Sequence, residues 1–339
     1  MMSGTKIALD ELQVLINLLD SDNMSVSYPL YDFDLIRPRP RSDGYMLDIP
    51  RNLNFDENVS KFAGYEREMP DFYDFRTCMI SSGILDFINL GEIKDSVLNY
   101  RKSHRGARFG LDTNMMYNNF VRNHDFIGPE EVVLIDIVLD EIKHHLNKKY
   151  TEYQISSMER LAGPRGEPLG ELYNRRMKMS RKAANLALAE WNYLRLGGAR
   201  TVESKGKYCT ENQDCDRIIV ETFLGHDKKT TEVIILLTAD EGMIDYCKAD
   251  GIEHIKCDLP HRVESVECEF RDFNRLIFVL AKIFGFVKVG PAVIYGEYRG
   301  YTSNDDDVLK VVTDNSEMHR RLEMELGICR RLRGLGIGQ

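Results

Sequence analysis

Residues 232–243 read EVIILLTADEGM, and residues 107–116 read ARFGLDTNMM. Each is a short apolar run that ends on an aspartate, Asp240 in the first and Asp112 in the second. Runs of this length without polar alternation suit strands buried on both faces, as in a parallel sheet. VVLIDIV at 132–138 is a third. EHIKCDL at 253–259 reads as a fourth, after the helix EGMIDYCKAD and its stop signal at Gly251. From residue 104 onward strand and helix alternate, which predicts an α/β domain around a parallel sheet. Ligands in such sheets collect at the carboxyl ends of the strands, where Asp112 and Asp240 fall.

Two further acids have similar settings. Glu141 follows an apolar run in VVLIDIVLDEIKHH, and Asp216 opens an amphipathic stretch in NQDCDRIIVETFL. Each acid alone has an ordinary role: Asp112 could close an Asx-turn, and Asp240 could cap a helix. Brought together they would repel by roughly 3 kcal/mol per pair at 5 Å and an effective dielectric of 20. A divalent cation or shared protons would have to offset that repulsion. Oxygen-only ligands suit Mg²⁺ or Mn²⁺.

Composition narrows the class. The chain has 339 residues, 43% hydrophobic and 29% charged, as expected of a soluble globular protein with a sizeable core. The longest apolar run, Leu276 to Val289, is interrupted by Lys282 and Lys288 and is too short to span a bilayer. The first residues, MMSGTKIALDELQ, have acids within the apolar stretch and do not read as a signal peptide. Seven cysteines without a Cys-x-x-Cys pair argue against a disulfide framework or a zinc site, so Cys209 and Cys215 are expected to be reduced and the compartment cytoplasmic. No Gly-x-x-x-x-Gly-Lys or Gly-x-Ser-x-Gly is present, and no Gly-x-Gly-x-x-Gly follows a strand. His144, three residues after Glu141, would need a second copy of that pair to form a di-iron site.

The net charge of −9 is unevenly spread. Residues 160–207 carry 11 Lys/Arg against 4 Asp/Glu, leaving the remainder near −16. Within that stretch ELYNRRMKMSRKAANLALAEWNYLRLGG reads as a helix ended by Gly197 and Gly198, with Arg175, Arg176, Lys178, Arg181 and Lys182 in its first half. The ordinary reading is a solvated helix face. The functional one is a basic arm that grips a phosphate backbone. Residues 5–20 show helical spacing, and the last stretch, EMHRRLEMELGICRRLRGLG, reads as an amphipathic helix suited to packing, self-association or RNA contact.

Taken in order, LDTNMM, VLDEI, DCDRIIVE and LLTADEGM resemble the four acidic motifs of the PIN-domain nucleases, a family related to the flap-type nucleases. The resemblance spans roughly residues 104–260. It implies an α/β, PIN-like three-layer domain with a central parallel sheet, a helical insertion, and N- and C-terminal extensions. The divisions expected are 1–103, 104–262 (with the basic insertion at 150–208) and 263–339. Asp112, Glu141, Asp216 and Asp240 would be the catalytic, metal-binding acids, with Asp214, Thr113 and Asn114 as auxiliaries. Residues one apart on a helix point about 100° apart, so only one of Asp140 and Glu141 should face the site, and Glu141 is preferred because Ile137 and Val138 then lie behind it on the buried side. Arg122, His124, Lys205, Lys207 and Arg217, with the five cations of the insertion, would steady phosphate. The implied activity is a Mg²⁺- or Mn²⁺-dependent endoribonuclease acting on single-stranded or structured RNA, with no membrane partner and a homo-oligomer through the last helix. The alternatives are an RNA-binding scaffold of the same fold with little turnover, and a flap-type DNA nuclease, which would want a helix-hairpin-helix not seen here. A toxin ribonuclease would resemble the bare domain. The 50-residue insertion between the second and third acids departs from the compact form of the family.

Overall fold

A computed structural model describes residues 4–19, 24–104, 106–204, 215–227, 231–302 and 305–337. The chain divides into two compact units. One gathers residues 1–84, 148–181 and 263–339, and the other gathers 85–147 and 182–262.

The second unit is built on a five-stranded sheet. Its strands, in chain order, are Ala107–Leu111, Val132–Ile135, Arg200–Val202, Val233–Thr238 and His254–Lys256. All four pairings are parallel, and the spatial order is third, second, first, fourth, fifth. The apolar runs of the sequence become its interior: Val132 through Ile135 and Ile234 through Leu237 are all buried. Strand order reverses between the first and fourth strands, which pair directly from Ala107↔Val233 to Leu111↔Leu237. In open α/β sheets the crevice outside the carboxyl ends at such a reversal is the usual ligand position. Asp112 and Asp240 follow those two strands by one and two residues.

Helices complete the unit. Thr113–Tyr117 starts immediately after Asp112, Asp136–Leu146 carries Glu141, Cys215–Asp227 carries Asp216, and Glu241–Asp250 follows Asp240. Helix Cys215–Asp227 lies close to the first strand because that strand has a glycine. A Cβ on Gly110 would fall 2.6 Å from the Phe223 ring.

The other unit is organised around an eight-stranded antiparallel sheet. Its order is Thr5–Ala8, Val308–Thr313, Ala292–Tyr295, Phe286–Val289, Val26–Ser27, Asp34–Pro40, Gly44–Asp48 and Val266–Glu269. The two ends of the chain, which read as separate extensions in the sequence, thus share one sheet, with Ile7 opposite Leu309. Helix Phe270–Phe284 is its main apolar element and packs on helix Phe72–Ser81. Two sequence readings change here. Residues 5–8 form a strand rather than the start of a helix, since Ile7 alternates inward beside exposed Lys6 and the edge pairing outweighs helical spacing. The helix expected from residue 171 begins only at Lys178, because Glu167–Leu172 forms a 3₁₀ turn and Asn174 adopts a left-handed backbone, φ 56°.

Among the described residues no helix is long and apolar enough to cross a membrane. Cys215 is disulfide-bonded, which corrects the expectation of a reduced thiol there; Cys209 lies outside the described residues.

Candidate active site at the carboxyl edge of the parallel sheet

Asp112 is the centre of the site. It is 2% exposed and held on both oxygens. Oδ1 accepts the N–H of Met115 at 2.8 Å, so the carboxylate is the N-cap of helix Thr113–Tyr117. Oδ2 accepts the hydroxyl of Thr238, at the end of the neighbouring strand. Thr238 is fully buried, and its oxygen also accepts the N–H of Asp240 at 3.0 Å. One hydroxyl thereby ties the turns after the first and fourth strands together. Asp240 in turn caps helix Glu241–Asp250, accepting from Gly242 N at 2.7 Å.

Burial pushes the Asp112 carboxyl up to about 7, against the hydrogen bonds from Thr238 and Met115, and the charges of Asp216 and Asp240 push in the same direction. Those two carboxylates therefore lie within electrostatic reach of Asp112. Cys247 and Cys257 are raised chiefly by burial and next by the charge of Asp112. Glu141 joins from the helix on the other side: Thr113 Oγ1 donates to its Oε2 at 2.6 Å. The adjacent Asp140 is exposed, 3.9 Å from Lys143. Asn114 is exposed at the surface of the short helix. Asp136, at the end of the second strand, is occupied by Ser204 N at 2.9 Å.

Asp112, Asp216 and Asp240 thus share one field, and Glu141 is linked to it through Thr113. Among the described residues no three His, Cys, Asp or Glu side chains form a ready-made metal-ligand group. The donor set still fits a hard dication. All four are carboxylates, and Mg²⁺ keeps several waters and takes only one or two carboxylates directly. Asp112 is raised into the neutral range by its burial, and a bound dication would favour its ionised form.

The expected phosphate-binding residues fare differently. Lys178 and Arg181 are buried, at 4% and 1% exposure. Lys178 Nζ donates to Asp74 Oδ2 and to Met69 O, both at 2.7 Å. The Arg181 guanidinium donates to the carbonyls of Arg176, Ile283 and Phe284. Arg175 donates to Tyr301 O at 2.9 Å, and Arg176 pairs with the buried Glu297 at 3.3 Å. These four belong to the unit with the antiparallel sheet, where Lys178 and Arg181 are buried, Arg175 and Arg176 half-buried, and all are engaged by carbonyl or carboxylate acceptors. Arg122 donates to Ala189 O at 2.8 Å and lies 3.6 Å from Glu190. His124 is buried against Phe120 O and Asp86. Arg217 is exposed and paired with Glu221. Lys182 sits with its ammonium 5.5 Å from the centroid of the Tyr117 ring. Asp214, Lys205 and Lys207 lie outside the described residues. Thr238 is a contact that sequence reasoning misses, because nothing local distinguishes it.

No protein-family model matches the chain, and no curated protein matches it either.

Proposed function

We propose that the chain is a metal-dependent endoribonuclease of PIN-like architecture, hydrolysing RNA phosphodiesters with Mg²⁺ or Mn²⁺ held by Asp112, Asp216, Asp240 and Glu141. The observation that carries this reading is the position of Asp112: buried at the strand-order reversal, within the field of Asp216 and Asp240, and next to the residue that binds Glu141. The parallel sheet and its strand order are compatible with the family resemblance of the four motifs.

When bound, such an ion supplies Lewis-acid stabilisation of the charge that develops on the phosphate oxygens. The chain's own part is positioning. Thr238 and the Met115 amide fix both oxygens of Asp112, so its carboxylate does not have to reorganise. Thr113 holds Glu141 by one oxygen and leaves the other for a ligand or a water. No side chain is required as a covalent nucleophile, since water suffices.

A second reading draws on the absence of a preassembled three-ligand group among the described residues: a scaffold that binds RNA with little turnover. Incubating end-labelled single-stranded and hairpin RNA with Mn²⁺, Mg²⁺ or EDTA separates the two. Cleavage that needs the metal and disappears in Asp112→Asn/Asp240→Asn is the expected result. Binding without cleavage under every metal selects the scaffold.

A further inference from the structure

Tyr117 is the last residue of the short helix that Asp112 caps, one turn beyond Thr113. Residues four apart lie on one side of a helix, so Tyr117 shares the side from which Thr113 donates to Glu141. This helix packs on Asp136–Leu146, which carries Glu141, and a five-residue π-helical turn, Ala183–Ala187, packs on both. Such turns are uncommon and often lie at functional sites. Just before the turn, the Lys182 ammonium lies 5.5 Å from the centroid of the Tyr117 ring and helps to fix the ring in place. All of these residues belong to the unit with the parallel sheet.

The ring is held, but the hydroxyl is not. Tyr117 and Glu141 are both half-buried, and among the described residues the Tyr117 hydroxyl has no hydrogen-bond partner. A tyrosine hydroxyl drawn below the surface usually finds a partner, so this one is open to a ligand. Burial first, and the charge of Glu141 second, raise the phenol, which therefore stays neutral and keeps its proton. A neutral hydroxyl both donates and accepts. A phosphate oxygen would only accept, and it would bring another negative charge beside Glu141. The ribose 2′-hydroxyl is neutral, donates and accepts, and is the group that distinguishes RNA from DNA.

We propose that Tyr117 is a specificity-determining residue that hydrogen-bonds one ribose 2′-hydroxyl of a single-stranded RNA held at the acids. This rests on the ribonuclease reading above. The test uses the full chain, with Ca²⁺ in place of Mg²⁺ or Mn²⁺, and fluorescein-labelled single-stranded RNAs that each carry one 2′-deoxy nucleotide at a different position. Loss of one such hydrogen bond should weaken wild-type binding about three- to tenfold at one position of the series. Tyr117→Phe keeps the ring beside Lys182. It should bind unmodified RNA more weakly by the same factor and lose nothing further from the deoxy substitution at that position. The ratio of the two affinities is taken within one variant, so it does not depend on the folded fraction, and the unfolding midpoint read by Trp191 fluorescence should not move. A Tyr117→Phe protein that still loses affinity on that deoxy substitution, or a wild type indifferent to every deoxy position, would overturn the Tyr117 assignment. Metal-dependent RNA cleavage by the same wild-type preparation would then leave the nuclease reading standing. A wild type that neither binds nor cleaves RNA would remove both.

Discussion

Asp112→Asn should stabilise the metal-free protein at alkaline pH, although it removes a fully hydrogen-bonded side chain. The folded Asp112 titrates at about 7, whereas an ordinary aspartate titrates at 3.8. Between those values the folded state holds a proton that the unfolded state has released, so stability falls as pH rises through that window and stays low above it. The full penalty is on the order of 4 kcal/mol, at 1.36 kcal/mol per pH unit of displacement. About 2–3 kcal/mol of it develops between pH 5 and pH 8 by the same linkage. Asparagine cannot ionise and escapes the penalty. Its amide disturbs the Thr238 hydrogen bond at a cost of about 1–3 kcal/mol, and this cost does not depend on pH. The stability of the variant relative to the wild type should therefore shift in its favour by about 2–3 kcal/mol from pH 5 to pH 8. Urea unfolding in EDTA measures this in the right unit, because the chain has a single tryptophan, Trp191, and it is buried in the unit that holds Asp112. Adding Mn²⁺ at pH 8 should stabilise the wild type much more than the variant. An Asn-minus-Asp difference that is the same at pH 5 and pH 8 would refute the account of the buried carboxyl.

Gly110→Ala places a Cβ 2.6 Å from the Phe223 ring and should shift the helix that carries Asp216. Overpacking of this kind costs about 1–3 kcal/mol, visible in the Trp191 transition, with cleavage reduced in the fraction that remains folded. Thr238→Val keeps the shape but removes the donor to Asp112 and the acceptor for the Asp240 amide, for a loss of about 1–3 kcal/mol. It should also raise the Asp112 titration further, which a pH series of unfolding reads as an apparent midpoint above 7. Lys178→Met strands Asp74 and the Met69 carbonyl in the other unit and should cost about 3–5 kcal/mol by circular-dichroism melting. RNA affinity per folded molecule should be unchanged, whereas a surface phosphate-gripping role for Lys178 predicts weaker binding.

The placement of Asp112 and Asp240 just after buried strands could be read from sequence because its signal is local. An apolar run ending on Asp112 or Asp240 specifies a buried strand and the turn after it within a dozen residues. Glu141 and Asp140 point in different directions, as neighbours on a helix must, with Thr113 bonded to Glu141 and Lys143 beside Asp140. Lys178 and Arg181 were not readable in that way. A long cation looks alike whether it faces solvent or a buried acceptor, and their partners, Asp74 and the carbonyls of Ile283 and Phe284, are about a hundred residues distant. Thr5–Ala8 misleads for the same reason, since its partner strand begins at Val308. Thr238 is not legible in sequence because a threonine at the end of an apolar strand is ordinary until its two partners are seen together.

The central claim is hydrolysis by water at the acidic edge of the parallel sheet, and the chemistry of the RNA ends tests it most directly. Wild-type protein with Mn²⁺ and RNA in ¹⁸O-labelled water should yield 3′-hydroxyl and 5′-phosphate ends, with the heavy oxygen in the phosphate and no product from Asp112→Asn. Products ending in 2′,3′-cyclic phosphate, or the same cleavage in EDTA, would contradict it, because the attacking oxygen would then come from the RNA and the acids would have no ion to hold.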